Sequence, residues 1–384
     1  PNTNVVVSHT VDLGDEICPD DDEEMLTDED SSDNELLDLG SIIDLDAVKE
    51  SSLLFVGNLL SAHNMPIKYA FEVVEGVSKL YGPLFAWLHR LSEEIESPQQ
   101  KQSLKKVISA FEDPFSGIDS EYLLLKELKE KKLYVEPVEH VIGTSQYMSQ
   151  NGGLKQITQK TSYVPLGQML TNFLSLPGVM SEIKAHMSAK REDGSMDSFI
   201  DGKLWEETSK KHSEKKGTLI PLMHYYDDFE TGNPLGSKAS VNKFGGNYTV
   251  VLGLPPRFNA VLDNLLVCEI FRSSYKCEWP NEKIFKSMIY QYKSIARDGL
   301  EINGEKVYPL LQLCSGDNLS IHQYLGLVEG FTANYPCRFC KMERKDFDSS
   351  FVDVPDLYRT VENYNVDVTL ADKTVTGEDA LKKL

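Results

Sequence analysis

The sequence predicts an α+β chain, with a helical N-terminal region followed by an incomplete α/β core. Two observations carry this prediction. Between residues 46 and 134 apolar side chains recur at helical spacing, whereas beyond Trp205 short β-branched runs alternate with helical ones. A third observation sets the beginning apart: residues 1 to 48 hold sixteen Asp or Glu and no Lys or Arg, so of the net charge of −21 only about −5 is left to the rest.

The leader, residues 1–48, includes Asp20-Asp21-Asp22-Glu23-Glu24 and Asp28-Glu29-Asp30. It has too little apolar surface to offset its ordering entropy and repels itself, so it is expected to be disordered. Leu36, Leu37, Ile42 and Ile43 leave room for a helix that forms on a protein partner. In the helical region, 49–150, Leu53, Leu54, Val56, Leu59 and Leu60 form one apolar stripe. After Pro66 follow Tyr69, Val73, Val74, Val77, Leu80 and Tyr81, and then Leu84, Trp87, Leu88 and Leu91. This predicts three packed helices. Two more are expected around the turn Asp113-Pro114-Phe115-Ser116-Gly117; the lysines of the second interleave with Glu127 and Glu130, the pattern of a solvated face. Residues 151–204 read as a loop over 151–162, a helix from Pro165 to Met187 broken at Pro177-Gly178, and a polar linker from Ala189 to Gly202.

The core is expected over 205–336. Thr218–Tyr226, Asn247–Gly253 and Leu265–Phe271 are strand candidates, Glu282–Arg297 has helical spacing, Val307–Cys314 is a fourth strand and Leu319–Phe331 a second helix. Three strands, a helix, a strand and a helix is the opening of the ribonuclease H-like fold. There the first and fourth strands are neighbours, so acids near their C-terminal ends converge. Here those ends carry Asp227-Asp228 and Asp317.

Phosphodiester hydrolysis and strand transfer use two hard cations, one to activate the attacking oxygen and one to stabilise the leaving oxygen. Mg2+ accepts a few carboxylates and completes its octahedron with water and phosphate. Asp227, Asp228 and Asp317 are the candidate catalytic residues, with Asp227 and Asp317 as ligands of Mg2+ or Mn2+. Because Asp227 and Asp228 alternate faces, one of them points to the cations. The competing reading is structural: Asp at a strand end often caps a turn or helix, and Asp317 lies three residues before Ser320. The run Phe229–Gly236 has the same two readings, as a phosphate approach or as a plain hairpin loop.

Cys337-Arg338-Phe339-Cys340 supplies half of the four ligands of a structural zinc site. Zn2+ at Cys337 and Cys340, with the other ligands beyond Leu384, and a pair of reduced thiols both remain open. The six cysteines do not form a disulfide framework, and no segment has a signal-peptide layout or enough apolar length for a bilayer. The expectation is an intracellular chain without a membrane partner.

Several runs taken together resemble transposase-derived proteins of animal genomes, which are similar to the CACTA (En/Spm-type) DDE transposases. They are Tyr225-Tyr226-Asp227-Asp228-Phe229-Glu230-Thr231-Gly232-Asn233-Pro234-Leu235-Gly236, the turn Leu254-Pro255-Pro256, Gly316-Asp317-Asn318-Leu319, and Leu325–Phe331 leading to Cys337 and Cys340. Tyr163–Leu166 and Ser198–Gly202 extend the likeness to roughly residues 160 to 345. The resemblance implies a ribonuclease H-like fold, with Asp227 on the family's first catalytic Asp, Asp228 in place of its Gly, and Asp317 on the second Asp. Cys337 and Cys340 fall on a cysteine motif that opens an inserted region, here 337–384, before the third acid. Only 44 residues follow Cys340, so that acid is expected beyond the chain.

The expected function is DNA cleavage and strand transfer at transposon ends, in the nucleus, with little activity as the chain stands. Two alternatives are a domesticated, non-catalytic scaffold that recruits partners through the acidic leader, and a zinc-binding interaction module. The leader would oppose DNA rather than attract it.

Overall fold

A computed structural model describes residues 44–61, 65–148, 152–189, 194–232, 242–330, 332–347 and 349–374. Nearly all of the acidic leader and the turn residues Asn233–Gly236 lie outside the described residues. The chain divides into two compact units, Pro1–Glu136 and Pro137–Leu384.

The first unit is helical, with helices Leu45–Ser61, Ile67–Glu93, Pro98–Glu112 and Glu121–Glu130. Leu53, Val56, Leu60, Ala70, Val74, Phe115, Ile118, Leu124, Leu128 and Tyr134 make its core; Leu53, Val56, Leu60 and Val74 come from the expected apolar stripes, whereas Tyr69, Leu80, Tyr81, Leu84, Trp87 and Leu91 of those stripes are exposed. Ser97 and Ser120 cap the third and fourth helices by accepting from Gln100 N and Leu123 N. The three helices expected between residues 46 and 95 are two, because Ile67–Glu93 runs unbroken through Pro83. A proline forfeits one intrahelical hydrogen bond. Here that loss falls on a stretch where Leu80, Leu84 and Trp87 are exposed, and the flanking turns hold the helix.

The second unit is a mixed α/β structure built on one seven-stranded sheet. In chain order the strands are β1 (Val138–Met148), β2 (Leu154–Tyr163), β3 (Thr218–Glu230), β4 (Lys243–Val251), β5 (Leu266–Arg272), β6 (Leu300–Ile302) and β7 (Glu305–Gly316). Their order across the sheet is β1-β2-β5-β4-β3-β7-β6. All neighbours are antiparallel except β3 and β7, which run parallel. The helix Lys286–Asp298 between β5 and β7 buries Met288, Tyr292 and Ile295, one stripe at helical spacing. They join Ile220, Leu222, Val250, Leu266, Phe271, Ile284, Phe285, Val307 and Leu310 among the buried apolar residues of the unit.

The helix expected over Leu319–Phe331 ends at Tyr324, and β1 lies inside the region expected to be helical up to residue 150; two further features depart from the expected elements. Residues 151–162 are not a loop, because from Leu154 onward they form β2, paired with β1 in a hairpin from Val138↔Tyr163 to Met148↔Leu154. Polar Thr and Gln residues hid the strand, whose outer half is exposed and whose inner half buries Gln159 and Thr161. The hairpin is fastened to the core at Trp279, whose indole Nε1 donates to Gln159 Oε1, while Gln159 Nε2 donates to Glu278 at 2.8 Å. The second departure is β6, three residues that pair with the start of β7. Asn303 and Gly304 join the two strands with φ of 51° and 81°, the left-handed pair that a tight two-residue hairpin requires.

Candidate functional site: two strand-end carboxylates

Parallel pairing sets the geometry of the site. After a register shift between Leu222 and Met223, β3 and β7 pair up to the end of β7, with Tyr225 opposite Ser315 and Tyr226 opposite Gly316. Asp227 is the next residue of β3, and Asp317 is the first residue after β7. The close approach of the two chains depends on Gly316, because a Cβ there would stand 2.6 Å from the Tyr226 carbonyl oxygen.

Side-chain alternation sends Tyr225 and Asp227 to one face of β3 and Tyr226 and Asp228 to the other. On the first face, Tyr225 Oη donates to Asp227 Oδ2 at 3.0 Å, and Asp228 N donates to Asp227 Oδ1 at 2.8 Å. Tyr248, on β4, packs its ring 6.0 Å from that of Tyr225. The Tyr225 hydroxyl is held above its ordinary pKa by burial, by its bond to Asp227, and by the charges of Asp227 and Asp317. Burial and the Asp227 charge raise Tyr248 as well. Asp227 and Asp317 therefore act on the same tyrosine hydroxyl.

Asp317 also has the structural role weighed against catalysis. Its Oδ1 accepts from Ser320 N at 2.6 Å and caps the helix Asn318–Tyr324. A carboxylate has about four lone-pair sites, so the cap leaves capacity on Asp317, and the two bonds to Asp227 leave one site on each of its oxygens. Capping and cation binding are compatible in this geometry.

The opposite face holds Asp228 in a different way. Lys276 Nζ donates to Asp228 Oδ2 at 2.8 Å and Oδ1 at 3.0 Å, Ser273 Oγ donates to Oδ1 at 3.0 Å, and Tyr226 Oη donates to Oδ1 at 2.9 Å. The side chains of Asp228 and Lys276 are only 10% and 12% exposed. Burial pushes the Asp228 carboxyl up, but the hydrogen bond and charge of Lys276, helped by Tyr226 and Ser273, hold it below the usual carboxylate range. Tyr226, stacked on Phe271 and fully buried, rises far above the ordinary tyrosine range through burial first and the Asp228 charge second.

Cys337 and Cys340 come together in a compact turn. Phe339 N donates to Cys337 Sγ at 3.3 Å. Burial raises the Cys340 thiol, and a backbone N–H from Met342 offsets part of that rise. The turn is pinned by the bridge Cys340↔Tyr358, by Lys341 N to Leu357 O at 2.7 Å, and by Arg359 Nε to Cys337 O at 3.0 Å. It lies against the helix that Asp317 caps: Arg338 Nη1 donates to Asn318 Oδ1, and the two segments border a cavity of about 360 Å³. His322 is buried there with Nδ1 donating to Val328 O at 2.7 Å. Among the described residues no three of His, Cys, Asp or Glu converge as a metal-binding group.

Sequence reasoning anticipated the neighbouring strand ends that carry Asp227 and Asp317, but not the side chains bonded to the acid pair, Tyr225, Ser273 and Lys276. Tyr225 was within reach, since the residue two before Asp227 shares its face; Lys276 lies 48 positions from Asp228 and carries no local signal. The motif Ser198–Gly202 is a structural turn, in which Asp201 Oδ2 accepts from Asp197 N and Ser198 N, both at 3.0 Å. Neither a protein-family model nor a curated protein matches the chain.

Proposed function

We propose that this chain is a transposase-derived protein with a ribonuclease H-like core, and that Asp227 and Asp317 hold Mg2+ or Mn2+ for cleavage and strand transfer of DNA. The observation that carries the reading is the parallel pairing of β3 with β7, which brings the two acids to adjacent strand ends. In a ribonuclease H-like core the first and fourth strands are such neighbours, and the run β3, β4, β5, helix, β7 follows that chain order. The donor set suits the ion: carboxylate oxygens beside tyrosine hydroxyls are hard ligands of the kind Mg2+ and Mn2+ accept.

Bound divalent cations would supply Lewis-acid stabilisation of attacking and leaving oxygens. The chain's own residues do the positioning. Tyr225 and the Asp228 amide fix both oxygens of Asp227, and the helix cap fixes one oxygen of Asp317, so little ordering entropy remains to be lost on binding. Asp228 is already neutralised by Lys276, so Asp227 is the member of the acid pair assigned to the cation.

Mn2+ titration followed by electron paramagnetic resonance, together with nicking of supercoiled plasmid DNA, tests the assignment. Asp227→Asn and Asp317→Asn are expected to weaken Mn2+ binding at least tenfold, and Asp228→Asn to leave it within a factor of about two. Retained binding in the first two variants would sink the metal site and leave the non-catalytic scaffold as the better reading.

A zinc-binding reading of the cysteine turn has its own support, because the turn brings the two cysteines together with a backbone N–H reaching each sulfur. Two of the four ligands of a structural zinc site would then be Cys337 and Cys340. Zinc content by mass spectrometry should fall to background in Cys337→Ser. Unchanged zinc would remove the cysteine pair from the account.

A further inference from the structure

We infer that Lys276 and Gln323 are positioning residues of the proposed cation site, together forming a cross-tie that fixes the spacing of Asp227 and Asp317. The inference rests on the acid-pair reading above but concerns residues on the opposite face of β3.

Lys276 Nζ does more than neutralise Asp228. It also bonds to Tyr226 Oη at 2.6 Å and to Gln323 Oε1 at 2.5 Å. Tyr226 and Asp228 belong to the end of β3, flanking Asp227, whereas Gln323 lies in the last turn of the helix Asn318–Tyr324. One ammonium therefore bridges the strand that carries the first acid and the helix that the second acid caps. The same helix end is held again by Asn281, whose Nδ2 donates to Gln323 O at 2.5 Å and to Tyr324 O at 3.4 Å.

The mechanical chain is short. Asp317 Oδ1 is tied to Ser320 N inside this helix, and Ser320 is buried, so rotation of the helix carries the Asp317 carboxylate with it. The helix is only seven residues long, too short to be stable without tertiary partners. A buried ammonium with four oxygen contacts within 3.0 Å is a stiff tie, since each lost bond would leave a charge or amide desolvated. Ser273 supplies an internal comparison. It anchors the same Asp228 carboxylate at 3.0 Å but has no bond to the helix.

The test is Mn2+ affinity of the full chain, measured well below the melting temperature of each variant. Lys276→Met and Gln323→Leu are expected to weaken Mn2+ binding about tenfold, the range found when supports behind metal ligands are removed. Ser273→Ala is expected to lower the melting temperature while leaving Mn2+ affinity unchanged. Gln323→Leu keeps the Asp228–Lys276 pair, so it remains readable where Lys276→Met fails to fold. Wild-type affinity in Gln323→Leu, or an equal loss in Ser273→Ala, overturns the cross-tie while the acid pair stands. Absence of Mn2+ binding in the wild type overturns both.

Discussion

At the scale of single residues, Asp227 and Asp228 differ by one position and by nearly everything in their surroundings. Alternation along β3 gives Asp227 a tyrosine hydroxyl and Asp228 a buried lysine. Lys276→Met leaves the buried Asp228 carboxylate with the half-exposed Lys243, 3.3 Å away, as its cation, so it should destabilise the fold by about 2 kcal/mol in chemical denaturation. Combining it with Asp228→Asn should recover part of that loss, because no buried charge is then left under-compensated. Strictly additive losses would show that the two groups do not interact. Elsewhere in the sheet, Glu269 is buried on β5 with one oxygen bonded to Asn247 at 3.0 Å and the other unpartnered. Burial pushes its carboxyl up to about 7, with Thr161 and Asn247 opposing. A raised carboxyl favours the fold below the unfolded pKa near 4.5, and that advantage is lost as pH rises through about 7. Glu269→Gln should therefore gain on the wild type between pH 4.5 and 7, by roughly 3 kcal/mol at the upper end. A stability difference independent of pH would refute the burial account. His224, buried and lowered to about 4, works in the opposite window and loses stability as pH falls below its ordinary value.

At the scale of elements, β7 matters most, because its register places Asp317. That register is set from below by the β6–β7 hairpin and its Asn303-Gly304 turn. Gly304 has φ +81° with open space where a Cβ would stand, so Gly304→Ala should cost about 1 kcal/mol through backbone strain alone. A neutral result in a thermal melt would mean the turn does not constrain the strand. The four core strands and the helix before β7 were legible because β-branched and helical periods separate cleanly there. The β6–β7 hairpin was not, since three residues before a turn are too short to show alternation. The β1–β2 hairpin was hidden for another reason: its Thr, Gln and Lys residues read as a polar loop. What makes it a strand is long-range, namely the β5 edge and the Trp279 ring, against which Gly143 packs so closely that a Cβ would clash with it.

At the scale of the whole molecule, the chain is a helical unit and a mixed α/β unit of separate cores. Among the described residues no helix is long and apolar enough to cross a membrane. The strong negative charge belongs mostly to the leader rather than to the sheet that carries the acids. The adjacency of the two strand ends was readable from the order of elements, because neighbouring strands in a sheet can be anticipated from topology. The acids' supports were not, since Lys276 meets Asp228 and Gln323 only through tertiary packing. The central claim, that Asp227 and Asp317 share one cation, is tested most directly by replacing that cation with Fe2+. Ascorbate and peroxide then generate hydroxyl radicals that cut the backbone beside the metal. Cuts near residues 225–228 and 315–318, both suppressed by excess Mg2+ and both lost in Asp227→Asn, are the predicted result. Cutting at one strand end alone, or only around Cys337 and Cys340, would contradict it.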